Sequence, residues 1–148
     1  MVDPTLYDRD QNLWYEQTIK NIENRDIEAM DWGNLREEIE DAQRSLQHSL
    51  EIYIQEIIEQ ILRLKYLKPK NRQQQNMWKA RLLDYHFKAS RLIKDSPSYK
   101  NYLSQEYPRI YEHTVKCMSF LFDIPQSDRT SIEDVLAGKT DVERGGKK

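Results

Sequence analysis

His48, His86 and His113 are the side chains best suited to hold a metal or move a proton, and hydrophobic periodicity places each on a different helix. Three imidazoles converging from facing helices would make a zinc-type site. The Glu-x-x-His spacing of di-iron bundles is missing, since Ser45, Leu83 and Ile110 stand three residues before them. The simpler expectation is solvated or singly hydrogen-bonded histidines, with no metal and no cofactor. Cys117 is the lone cysteine, which excludes an internal disulfide and an all-Cys zinc site. It sits in an apolar stretch beside Met118, so a small buried hydrophobe is expected and nucleophilic work is not.

A second pattern is Arg81-Leu-Leu-Asp-Tyr-His86. Its arginine–four–histidine spacing resembles that of helical-bundle ribonucleases, where the cation meets phosphate and the imidazole acts as general acid/base. The usual polar residue after the arginine is replaced by Leu82. No glycine-rich phosphate loop and no nucleophile elbow is present, so the balance leans away from an enzyme.

The strongest signal is charge. The net value of −2 conceals a segregation. Residues 1–62 hold 5 Lys/Arg against 15 Asp/Glu, residues 63–94 hold 10 against Asp84 alone, and residues 95–148 hold 8 against 9. The cations of the middle segment are Arg63, Lys65, Lys68, Lys70, Arg72, Lys79, Arg81, Lys88, Arg91 and Lys94, interleaved with Tyr66, Trp78 and Tyr85. Clustered cations release counterions from a phosphate backbone, and aromatics can stack on bases, so this segment is the candidate nucleic-acid surface. Against it, the sequence pI is near 6.0. Trp78, Leu82 and Tyr85 share a core-facing spacing, and an antiparallel acidic neighbour would neutralise the segment. The acidic cluster Glu37, Glu38, Glu40 and Asp41 is read as favourable charge at a helix start rather than a cation site.

These residues need helices to position them. With 4 Gly, 5 Pro and 32% charged residues in 148, the chain suits long helices with solvated faces. No apolar run is long enough to cross a membrane, and the acidic start MVDPTLYDRD is unlike a signal peptide, so a cytoplasmic protein is expected. The spacing predicts a loosely held arm over 1–10 and a helix over 10–24 through Leu13, Trp14, Thr18 and Ile22. A long helix over 34–67 carries Leu35, Ile39, Ala42, Leu46, Leu50, Tyr53, Ile57, Ile61 and Leu64 on one face, stopped at Pro69. Ile54, Ile58 and Leu62 widen that face toward its end. A third helix is expected over 74–94. A fourth runs over 97–122, started by Ser96-Pro97 and kinked or split at Pro108. A last short one is opened by a capping box at Ser131 to Asp134 and closed by Gly138.

The strings LYDRDQNLWYEQTIKNIENRDIEAMDWGNLREEIED, MWKAR, LIKDSPSYKNYL and SIEDVLAGK together resemble domain of unknown function 29, a bacterial family abundant in cyanobacteria. The resemblance spans about residues 6–138. It implies an all-helical fold and no activity or site residues.

The expectation is an all-α, four- to five-helix bundle on one long central helix, with one domain over 1–138 and a disordered tail over 139–148. Its partner is another protein, or a second copy if the long helix has more apolar face than shorter helices can cover. Nucleic acid is the alternative, and no membrane partner is expected.

Overall fold

Residues 6–145 are described by the computed structural model, so part of the expected N-terminal arm (1–5) and the last three residues of the tail lie outside the described residues. Among the described residues the ordered elements are helices alone. They are α1 (Leu6–Arg9), α2 (Gln11–Glu23), α3 (Trp32–Tyr66), α4 (Arg72–Asp95), α5 (Tyr99–Met118) and α6 (Ile132–Ala137). No helix is long and apolar enough to cross a membrane. At about 1.5 Å per residue, the 35 residues of α3 span about 50 Å.

The chain divides into two compact units, Met1–Ser45 and Leu46–Lys148, with α3 belonging to both. Unit 1 starts α2 with Asp10, whose carboxylate accepts from the Leu13 amide. Asp31 then receives the Asn34 amide at the head of α3 at 3.3 Å and the Trp14 indole N–H at 3.1 Å. Trp14 is nearly fully buried, between the rings of Tyr7 and Tyr15. Glu38 accepts from Tyr7 (2.6 Å), Gln11 (2.8 Å) and Tyr15 (2.6 Å), which ties α1 and α2 to one flank of α3.

Unit 2 holds the core. Leu50, Ile54, Ile57, Ile58 and Leu62 of α3 are wholly buried, with Trp78, Leu82 and Ala89 of α4, Leu103 and Ile110 of α5, and Val135 of α6. The widening of the α3 stripe at Ile54, Ile58 and Leu62 is therefore real and buried on more than one side. Burial of such side chains supplies about 1.5–3 kcal/mol each, before the opposing chain entropy. The capping box forms as the sequence predicts: Ser131 and Asp134 exchange side-chain to backbone hydrogen bonds. Gly138 closes α6 at φ 66°, where an added Cβ would lie 2.7 Å from the His86 ring.

Several expectations change. Helix α5 runs through Pro108 without a break and ends at Met118, not at 122. Its N-cap is Ser98, without a side-chain cap bond, whereas Ser96 closes α4. The tail is held against α3 as far as Gly145. The Arg144 guanidinium donates to the Leu64 and Leu67 carbonyls, both at 3.1 Å, and the Gly145 amide to the Lys65 carbonyl at 3.1 Å. The Leu64 and Lys65 carbonyls belong to the last turn of α3 and Leu67 follows its end, where an unmatched acceptor favours a cation.

Gln60 is the exception inside the core. It is completely buried, and neither its Oε1 nor its Nε2 has a partner. An unsatisfied buried amide costs about 1–3 kcal/mol, and an apolar replacement of similar shape removes that cost. Gln60→Met is expected to raise the unfolding free energy by about 1–2 kcal/mol in a urea titration. A loss of stability would mean that the carboxamide is satisfied in solution.

Candidate interaction surfaces

The three histidines have separate surroundings. His48 is exposed on α3, His86 is half-buried and its Nε2 lies 2.9 Å from the Leu136 carbonyl, and His113 is exposed on α5. Among the described residues no group of three His, Cys, Asp or Glu can hold a metal ion. A hydrogen bond from His86 Nε2 to a carbonyl requires the proton on that nitrogen, so His86 closes the end of α6. Arg81 is five residues from His86, about 140° around α4, and is exposed. The two side chains therefore leave on different flanks of the helix. Cys117 is exposed, not buried, and its Sγ lies 3.6 Å from Nε2 of His113 one turn earlier. The apolar neighbours in its sequence include Met118, which lies a quarter-turn around α5 on the buried side.

The basic segment divides by depth. Lys68, Lys70, Arg72, Arg81, Lys88, Arg91 and Lys94 are exposed; Arg63, Lys65 and Lys79 are half-buried. Arg63 pairs with Glu59 at 3.8 Å, Lys65 with Asp128 at 3.2 Å and Lys88 with Asp84 at 3.0 Å, all partners within unit 2. Of the interleaved aromatics, Trp78 is buried and Tyr85 packs its ring 6.0 Å from that of Tyr53. These two candidate stackers thus serve the core, whereas Tyr66 borders an open groove. An open groove of about 1000 Å³ follows the end of α3, lined by Tyr66, Lys68, Gln75, Phe122 and Arg144.

Asp128 organises a cluster that no sequence motif announces. Its side chain is almost fully buried. It accepts from the Lys65 ammonium at 3.2 Å, from the Tyr66 hydroxyl at 2.5 Å and from the Tyr111 hydroxyl. The backbone amide of Thr130 donates to it at 3.2 Å and the Thr130 hydroxyl at 3.0 Å. Tyr107 stacks on Tyr111 and donates to the Thr130 carbonyl at 2.7 Å. Burial pushes the Asp128 carboxyl up, but the hydroxyls of Tyr111 and Tyr66 and the Lys65 ammonium outweigh it and bring it down to about 2. Burial, then the Asp128 bond, raises both Tyr66 and Tyr111. This cluster pins the irregular 119–131 segment to α3 and α5. Only the i, i+4 spacing of Tyr107 and Tyr111 hinted at it. A second polar tie joins Glu51 to the Arg109 guanidinium at 2.6 Å and to the Tyr102 hydroxyl.

The apolar face of α3 behaves differently along its length. Positions 32, 35, 39, 42 and 46 share one face with 50, 57, 61 and 64 at about 100° per residue. From Leu50 onward that face is buried, whereas Trp32 is 57% exposed, Ile39 63% and Leu46 47%. Leu35 is half-buried and Ala42 exposed, so the expected inward set holds only for the second half of the helix. On α2 the inward residues are Trp14, Thr18 and Asn21, leaving Tyr15, Ile19 and Ile22 as an exposed stripe at i, i+4, i+7. Among its described residues unit 1 buries only two apolar side chains, Trp14 and Ala29.

The sequence profile of a family described as domain of unknown function DUF29 matches residues 6–139. No curated protein and no solved structure matches the chain. With nearly the whole chain matched and the expected all-helical architecture in place, the chain belongs to the DUF29 family.

Proposed function

We propose that this chain is a non-enzymatic helical interaction module of the cytoplasm, working through protein contacts on the exposed apolar face of α3 and α2. One observation carries this reading. The face of α3 that is buried at Leu50, Ile57, Ile61 and Leu64 is exposed at Trp32, Ile39 and Leu46. Isolated exposed apolar residues are ordinary, but a continuous stripe on a helix rimmed by polar residues marks a contact surface. A partner helix with apolar anchors at i, i+4 spacing fits such a face. The nucleic-acid reading keeps its exposed cations but loses two of its three candidate stackers, since Trp78 and Tyr85 are packed inward. The ribonuclease reading is weakened by the engagement of His86 with Leu136 and by the 140° between Arg81 and His86.

A photo-reactive side chain at position 39 is expected to form discrete adducts in the cell. The same group at Asp41, about 160° further around α3 and exposed, should form none. Equal adducts from both positions, or none from either, would remove the reading.

A further inference from the structure

The remaining question is what covers the bare face, and charge narrows the answer. The described part of unit 1 carries 5 Lys/Arg against 11 Asp/Glu. Two such units brought face to face would repel. The occupant should therefore combine exposed apolar side chains with cations.

Unit 2 has such a surface. Leu83 and Phe87 lie one turn apart on α4, 52% and 60% exposed, on the side opposite Trp78 and Leu82. Ala80 and Arg91 extend the row in either direction, and all four positions fall within about 80° of arc. Arg91 stands 5.8 Å over the Phe87 ring, exposed Lys94 continues the row, and Asp84, an acid beside the row, is paired with Lys88. Large apolar side chains with guanidinium groups beside them are the composition of binding hot spots. On α2, Glu16 and Glu23 flank the exposed Ile19 and offer the opposite charge.

Building on the docking reading above, we propose that the partner is a second copy of this chain, its α4 outer face seated on the bare stripe of α3 and on α2, which Glu38 ties to it. In the proposed pair the contact is made twice, each α4 row on the other copy's bare face, so that the assembly closes at two molecules. Apolar burial at Ile39, Leu46, Leu83 and Phe87 supplies affinity; the acid–base pairing selects this arrangement over stripe on stripe.

The test uses the full chain in light scattering and sedimentation. Leu83→Gln/Phe87→Gln removes the α4 anchors, and Ile39→Gln/Leu46→Gln removes those of α3. All four side chains are exposed, and helical circular dichroism confirms that the variants fold. Each variant alone is expected to run as a monomer, while an equimolar mixture regains pairs because one contact stays intact. Arg91→Glu/Lys94→Glu, which keeps the apolar row, is expected to weaken pairing about tenfold or more. Rising salt is expected to weaken the wild-type pair, since opposite charges across an interface are screened.

An α4 variant that stays dimeric, with pairing strengthened by salt, would overturn the proposal in favour of stripe on stripe and leave the docking face intact. A mass that climbs with concentration would overturn the closed pair. A wild-type chain that stays monomeric, and that single-stranded RNA shifts at low salt, would assign the α4 cations to phosphate and overturn it as well. In that case cross-linking at position 39 decides separately whether the docking face takes another protein.

Discussion

Asp128→Ala is expected to lower the unfolding free energy by about 3–5 kcal/mol, the range for breaking a buried ion pair from one side. The side chain left behind matters more than the one removed. Lys65, with only 20% of its side chain exposed, loses its counter-charge. The hydroxyls of Tyr66 and Tyr111 lose their acceptor, and the Thr130 amide loses its turn partner. Urea unfolding of the variant beside wild type measures the effect. A change below about 1 kcal/mol would mean that water replaces the carboxylate without loss.

The same group sets an acid limit. A carboxyl lowered from 3.8 to about 2 in the folded state stabilises the fold fully above its unfolded value. That contribution, about 2 kcal/mol at full strength, is lost as pH falls from about 5 through 2. Wild type should therefore lose stability over that window, and Asp128→Ala should lose less of it.

Much of the architecture was legible because its signals are local. The α3 stripe, the stop before Pro69, the Ser131–Asp134 box and Gly138 depend on neighbours a few residues apart. Pro108 does not split its helix, which continues through it. The Ser96-Pro97 start was misread, because Ser96 is taken up in closing α4. Cys117 was misjudged from its apolar neighbours, although helical spacing already placed it a quarter-turn from Met118 and one turn after His113.

The sites were less legible for a different reason. Periodicity identifies an apolar face but not what covers it, so Ile39 and Leu46 read as core residues like Ile57 and Ile61. Asp128 lies 63 residues from Lys65 and 17 from Tyr111, and nothing in a single sequence joins them. Gln60 sits among Ile57, Ile61 and Leu64 as a polar letter in an apolar row, and its burial emerges only from packing.

The uncovered face of α3 remains the central claim, and its largest expected effect is on mass. Ile39 and Leu46 are 63% and 47% exposed, so replacing both with glutamine, a good helix former, should change the unfolding free energy by less than about 1 kcal/mol. Association should respond far more, because the anchors of a helix-in-groove contact carry most of its energy. Light scattering on wild type and Ile39→Gln/Leu46→Gln, with matched circular dichroism, is the most direct measurement. Wild type is expected at twice 17.9 kDa and the variant at 17.9 kDa. Equal masses for the two chains would contradict self-pairing through this face.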